Sequence, residues 1–393
     1  MATTIDVSAL RSWLLESKQT EDGGATFVRE LAERLVAAGF PLWRASCALM
    51  TMHPEILWRT IRWREDEPVA IRDQSHERLL DAFYTASAVA VVRQRRQRVR
   101  VPLVAGDLPY PICVDLRAEG GTDYVVEPLA FTNGDVSYIS FATQSPGGFS
   151  AAALAALEEL RPFIARRIEL ESSYYATTAL LDVYLGKNAA RRVLAGAFQR
   201  GRGEMIDAAI WFSDMRDFTA LSDRASPQEV IETLDQYFDA AANAIASHGG
   251  EVLKFIGDAI LAIFPIEKDA TASCKNALAA AEEALGALGA LNHSRRARGE
   301  TEVRIGVALH RGNVMYGNIG ARNRLDFTVI SAAVNEASRL EALCKKLGTP
   351  LALSETFAKT AEATGIADLG AHELKGVKEP LRVYTLERFV SGS

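Results

Sequence analysis

Residues 207–265 constrain the fold more tightly than any other stretch of the chain. DAAIWFS, residues 207–213, is an apolar run of strand length that ends at Asp214, where a turn follows. Ser226, Pro227 and Glu229 then spell a capping box with proline at the first helical position, so a helix starts there. Val230, Leu234, Tyr237, Ala241 and Ile245 recur along its inward face, and His248-Gly249-Gly250 ends it. EVLKFIGDAILAIFP, residues 251–265, reads as two short strands around the turn Gly257-Asp258. This layout places Asp214 at the end of one strand and Asp258 at a hairpin turn, so adjacent strands would bring both carboxylates to one edge of a sheet. Such a pair suits Mg²⁺, which prefers hard oxygen ligands and takes few carboxylates. Taken singly, Asp214 reads as well as a turn cap and Asp258 as an ordinary turn residue.

The 393 residues suggest two domains, and 48% hydrophobic with 24% charged residues gives both enough material for a core. A net charge of −6 argues against nucleic acid as a partner. The four cysteines, Cys47, Cys113, Cys274 and Cys344, form no CxxC pair, so neither a zinc site nor a disulfide scaffold is indicated. No apolar run reaches the roughly 20 residues of a membrane helix, and Asp6, Arg11 and Glu16 interrupt the N-terminus, so a cytoplasmic location without an integral membrane segment is expected.

Ahead of the Asp214 region, Phe27, Leu31, Leu35 and Ala38 predict a helix stopped by Gly39 and Pro41. ALMTMHP, TIRWRE, Val101–Val104 and Tyr124–Phe131 read as strands, and FTNGDVSYISFAT carries a hairpin signal at Asn133-Gly134. Leu154, Leu157, Ile164 and Ile168 then mark a helix that Pro162 could kink. The basic run Arg93, Arg95, Arg96, Arg98 and Arg100 reads as an exposed strand edge. The order of elements over residues 1–165 loosely resembles a GAF domain, which implies an α+β sensor-like regulatory domain with room for a small effector. Residues 166–203 read as a helical connector. Gly186-Lys187 is no phosphate-binding loop, because Leu181 stands where that motif needs glycine.

Five ordered blocks carry a more specific resemblance: IWFSDMRDFTALS, EVLKFIGDAILAIFP, RIGVALHRGNVMYGNIG, LDFTVISAAVNEASRLEAL and ELKGVKEPLRVYTL. Together they resemble the class III adenylate and guanylate cyclase catalytic domain, over about residues 207–387. The resemblance implies an α+β chain with a ferredoxin-like βαββαβ catalytic domain over 204–393. It makes Asp214 and Asp258 the metal-binding pair, with two Mg²⁺ ions per site for which Mn²⁺ can substitute. It also gives the main-chain amides of Met215, Arg216, Asp217 and Phe218 to phosphate. Asn335 and Arg339 match the pair that positions the ribose and stabilises the α-phosphate; four residues apart, they share one helix face. Ala333, Ala337, Leu340 and Cys344 occupy roughly the opposite face. Lys375 matches the lysine that meets the β- and γ-phosphates, with Lys378 close enough to be confused with it.

Base choice rests on two positions. Lys254 matches the purine-reading lysine of adenylate cyclases, and an ammonium donor serves adenine N1. Thr328 stands where that lysine's usual aspartate partner would be and resembles the class IIIb subgroup, several members of which respond to bicarbonate; its hydroxyl can accept from the adenine amino group. ATP is the expected substrate and cyclic AMP the product. A cyclase for GTP or a pyrimidine nucleotide, or a nucleotide-binding module without turnover, are the alternatives. Asp217 and Ser331 depart from the glycines that the family often carries. The resemblance further implies a homodimer, one domain supplying Asp214, Asp258 and Lys254 and the other Asn335 and Arg339. His248, His310 and His372 are expected to be structural or surface residues.

Overall fold

The computed structural model describes residues 5–390, apart from 77–84, 105, 198, 200, 202 and 378. Lys378 therefore lies outside the described residues. The chain divides into two compact units, Met1–Val183 and Tyr184–Ser393.

The first unit runs α1 (Ser8–Glu16), α2 (Ala25–Ala37), β1 (Arg44–Met50), β2 (Ile56–Arg64), β3 (Ala70–Ser75), α3 (Ala88–Arg95), β4 (Val99–Pro102), α4 (Pro111–Ala118), β5 (Asp123–Ala130), β6 (Val136–Thr143) and most of α5 (Ala151–Leu185). Its strands form one antiparallel sheet in the order β3-β2-β1-β6-β5-β4. Alternation along each strand gives the sheet two faces. One carries Cys47, Ile61, Ile139 and Phe141 into a core with Phe27, Leu31, Leu157 and Ile164 from α2 and α5. The other packs Tyr124 and Val126 with Val92 and Leu116 from α3 and α4. At the β5–β6 hairpin the Asn133 side chain accepts from the Asp135 amide at 2.9 Å, and Gly134 takes φ +91°, a conformation that glycine adopts freely. α5 provides the helical connector and runs through Pro162.

Of the basic run only Arg100 lies on an edge strand, β4. Ser87 accepts from the Ala90 amide and starts α3, so Arg93 and Arg95 fall in that helix's last turn, where cations complement its dipole. Arg98 and Arg100 instead pair with the buried carboxylates of Glu127 and Asp123. Those acceptors lie far along the chain, which is why local alternation misread the segment.

The second unit contains α6 (Lys187–Leu194), β7 (Gly203–Met215), α7 (Phe218–Ser222), α8 (Pro227–Ser247), β8 (Glu251–Ile256), β9 (Ala259–Pro265), α9 (Ala270–Ala297), β10 (Ile305–Ala321), β11 (Arg324–Ile330), α10 (Ala332–Leu347), β12 (Leu351–Ser354), α11 (Glu355–Thr360), β13 (Ile366–His372) and β14 (Leu381–Leu386). Its sheet runs β13-β14-β12-β10-β7-β9-β8, with β11 paired to β10. β7-α8-β8-β9-α9-β10 is a βαββαβ core in the strand order β10-β7-β9-β8, the ferredoxin-like arrangement. α8 and α9 cover the face bearing Trp211, Ile260 and Val307. α10 covers the other, with Ala337 against Ile210 and Val329, and Leu340 and Cys344 against Ala308 and Ala352. The capping box forms as the spacing predicts, with Ser226 and Glu229 each satisfying the other's amide. Among the described residues no helix is long and apolar enough to cross a membrane.

A buried polar chain secures the end of β7. Trp211 Nε1 donates to Ser213 Oγ at 2.9 Å, and Ser213 Oγ lies 2.7 Å from Tyr237 Oη on α8. All three residues are fully buried, so nothing else can satisfy these groups. Ser213→Ala is expected to lower the unfolding free energy of the second unit by about 1–3 kcal/mol, because it strands two buried polar groups. Urea denaturation followed by near-ultraviolet circular dichroism measures this; an unchanged midpoint would remove the network's structural role.

Candidate active site

Asp214 pairs in register with Ala259, the residue after Asp258, so the β7 end and the β8–β9 turn bring the two carboxyls together. Gly257 makes that turn possible with φ +64°. Burial pushes the Asp214 carboxyl up to about 6, the negative charge and hydrogen bond of Asp258 add to the rise, and Arg216 and the Met215 amide oppose it. Among the described residues neither aspartate has a cationic partner within salt-bridge distance, and no cluster of three or more ligating side chains occurs. Two half-buried hard oxygen donors that repel one another fit the usual carboxylate share of a Mg²⁺ shell.

The loop after β7 is built differently from a plain amide cradle. The Arg216 amide donates to Arg304 O at 2.7 Å and so extends the sheet instead of facing a ligand. The Met215 amide bonds to the Asp214 carboxyl. Of the four amides expected at phosphate, those of Asp217 and Phe218 make no hydrogen bond among the described residues. Asp217 adopts the left-handed conformation, φ +60°, which accounts for glycine being common there in the resembling sequences. Its carboxylate is held by Arg304 at 3.1 Å and Lys345 at 3.2 Å, which balances the charge it adds to the loop.

The Arg216 side chain turns inward to Glu341 of α10, at 3.0 Å. Both are largely buried, and the contact is an ion pair without good hydrogen-bond alignment, leaving Arg216 Nη2 and Glu341 Oε1 otherwise unsatisfied. Burial raises the Glu341 carboxyl to about 7, with Arg216 opposing and Asp214 and Asp258 adding to the rise. The pair lies directly over Gly306 of β10, where a Cβ would stand 1.7 Å from Arg216 Nη2 and 2.4 Å from Glu341 Oε1. Only glycine leaves room for it.

Asn335 is exposed on α10 and Arg339 half-buried one turn later, while Ala337, Leu340 and Cys344 are buried, as the helical spacing predicts. Ser331 is the N-cap of α10, accepting from the Val334 amide, which gives its departure from glycine a local use. Arg339 makes no ion pair among the described residues. Its guanidinium stands over Gly376, beside the exposed Lys375, so that a Cβ at Gly376 would lie 3.4 Å from Arg339 Nη1. Arg339 thus lies against the turn that follows Lys375, and among the described residues neither forms an ion pair with Asp214 or Asp258.

Lys254 Nζ meets Asp326 on β11 at 2.6 Å, and Thr328 lies two residues further along that strand, buried and on the same side. Lys254 is therefore grouped with the Thr328 strand within one chain. Asp326 went unrecognised in the sequence, although its strand spacing to Thr328 was the available signal. His310 is buried between Ser354 and Glu336, and burial lowers its pKa to about 4. His248 pairs with Glu283, and the His372 ring bonds to Leu369 O.

Residues 203–388 match the family described as the adenylate and guanylate cyclase catalytic domain. The chain is 33% identical over 208 residues to "Adenylate cyclase 1" of Rhizobium meliloti (strain 1021), covering 51% of this chain and 31% of that protein. It is 33% identical over 186 residues to "Adenylate cyclase" of Anabaena cylindrica, covering 45% of this chain and 36% of that protein. The matches thus span about a third of the length of these curated relatives. In fold alone the chain is similar to a solved bacterial light-regulated adenylyl cyclase, with a TM-score of 0.51 and 21% identity, covering 71% of this chain and 89% of that one. It is residues 203–388, in the second unit, that match the adenylate and guanylate cyclase catalytic domain; the first unit lies outside that match.

Proposed function

We propose that this chain is an adenylate cyclase, converting ATP to 3′,5′-cyclic AMP and pyrophosphate at sites shared across a homodimer. One observation carries the reading: a single chain holds an Asp214–Asp258 pair without a cation and an Arg339 without an anion, and among the described residues no ion pair joins them. A second copy would supply the missing half of each site. Supporting this, Met205, Met315 and Ile330 form an exposed apolar row across the paired strands β7, β10 and β11, a surface of the kind that partners cover. The first unit would serve as the regulatory domain.

When bound, two Mg²⁺ ions, or Mn²⁺ in their place, increase the acidity of the ribose 3′-hydroxyl and neutralise triphosphate charge. Asp214 and Asp258 would hold them. The 3′-oxygen gives its proton to solvent water and bonds to the α-phosphorus in line, as the bond from that phosphorus to the α–β bridging oxygen breaks and the oxygen leaves with pyrophosphate. Asn335 orients the ribose, and Arg339 of the same half-site offsets charge on the α-phosphoryl oxygens. Lys375, with the Asp217 and Phe218 amides, receives the departing pyrophosphate. Lys254 donates to adenine N1, while Thr328 and Asp326 offer acceptors for the exocyclic amine.

Asp214→Ala and Arg339→Ala are each expected to abolish cyclic AMP formation. Mixed in equal amounts, they should recover about a quarter of the wild-type rate, since half the dimers are mixed and each holds one intact site. No recovery, with subunit exchange demonstrated by native mass spectrometry, would overturn the shared site.

The wild-type protein is expected to prefer ATP to GTP, CTP and UTP in kcat/KM. Lys254→Glu with Thr328→Cys should shift the ATP/GTP ratio by about ten- to a hundredfold, because the acid offers guanine an acceptor and takes adenine's donor away. A double variant with full ATP preference would show that other residues read the base.

Since Asp214 keeps its proton up to about 6, that proton competes with a cation. Apparent Mg²⁺ affinity should fall by up to about tenfold per pH unit below that value. In metal-free protein the sign is opposite: the raised pKa contributes stability at low pH that is lost as pH rises through about 6. Metal titrations and thermal melts across acidic and neutral pH check both; pH-independent metal affinity would argue against Asp214 as a ligand.

A further inference from the structure

The first unit contains a cavity of about 630 Å³ on the sheet face opposite its main core. Three arginines line it from adjacent strands: Arg44 on β1, Arg62 on β2 and Arg72 on β3. The register places them on one face, with Arg62 opposite Ser46 and Arg72 opposite Thr60. Arg44 is only 9% exposed. None of the three has an ion pair or hydrogen bond from its side chain among the described residues. Neighbouring arginines of the same sheet behave otherwise: Arg59 is paired with Asp73 at 2.8 Å and Arg64 with Glu67 and Glu119. Among the described residues the unpaired set is therefore confined to the cavity, whose described lining includes a single carboxylate, Asp115.

A guanidinium keeps its charge in essentially every protein environment, so a buried one without a counter-charge is unfavourable unless something else supplies it. Burial works against the Arg44 charge, and Arg62 and Arg64 add to the repulsion. The rest of the wall mixes polar side chains, among them Ser46, Thr60 and Gln74, with an apolar and aromatic part that includes Trp58, Ile112 and Tyr138. A cavity of this size and mixed lining matches small-molecule sites, commonly about 300–1,000 Å³ with a few fixed polar groups.

We infer that this cavity is a binding site for a small organic anion, in which Arg44, with Arg62 and Arg72, takes a carboxylate or phosphate group while Trp58, Ile112 and Tyr138 pack a flat apolar body. Planar guanidinium forks suit either oxyanion. The inference stands independently of the cyclase reaction, because it uses only residues of the first unit.

Isothermal titration calorimetry on the full chain, with benzoate and phenyl phosphate as probes, distinguishes the two sources of charge. Benzamide is the neutral control, and inorganic phosphate is the control lacking a ring. At least one ring-bearing anion should bind saturably, at least tenfold more tightly than both controls. Arg44→Met should weaken that binding at least tenfold while raising the melting temperature of the unliganded protein, since it removes an unpaired buried charge. Arg62→Gln should weaken binding with little effect on folding, which keeps the test valid if Arg44→Met folds poorly. Anions bound in the cyclase unit would be insensitive to both substitutions. Equal binding of benzamide or inorganic phosphate, no saturable binding at millimolar concentration, or unchanged affinity in Arg62→Gln would overturn the inference.

Discussion

The buried ion pair between Arg216 and Glu341 is the contact on which the arrangement of the second unit depends. It joins the loop that follows the Asp214 strand to the helix that carries Asn335 and Arg339, and it does so across β10 at Gly306. A buried pair of this kind adds little net stability over a well-packed apolar substitute, but losing one partner leaves the other charged and enclosed. Its consequence is geometric: loop and helix cannot shift independently. The absence of a side chain at Gly306 is part of the same device.

Around that pair, charges are sorted by where they can be neutralised. Asp214 and Asp258 face one another with no cation from the described residues, which leaves a shared demand for positive charge. Asp217, one turn of backbone away, has its demand met by Arg304 and Lys345. Lys254 is met by Asp326, whereas Arg339 has no counter-ion among the described residues. An Asp pair lacking cations and an arginine lacking an anion in the same chain are complementary, and a triphosphate with its metal ions satisfies both at once. The first unit shows the same asymmetry on a smaller scale, with one group of arginines internally paired and another left facing a cavity.

Net charge is a poor guide to such places. At −6 the whole chain is acidic, yet it carries a basic cluster on β1, β2 and β3 that lines one cavity. What decides the local potential is which residues share a face, and that depends on strand register as much as on composition.

Short-range chemistry was legible in the sequence. The capping box at Ser226, the hairpin turns at Asn133-Gly134 and Gly257-Asp258, and the inward stripes of α8 and α10 follow from dihedral preferences and periodicity, which neighbouring residues determine by themselves. The juxtaposition of Asp214 and Asp258 was legible too, because both occupy strand ends in a strand–helix–hairpin unit. Only the tertiary structure decided the rest: Lys254 sits with Asp326, Glu341 reaches Arg216, the Arg216 amide belongs to the sheet, and Arg98 and Arg100 turn to Glu127 and Asp123. Each of these pairs joins residues far apart in the chain, and which carboxylate meets which cation depends on sheet register and helix docking, neither of which leaves a periodic trace in the sequence.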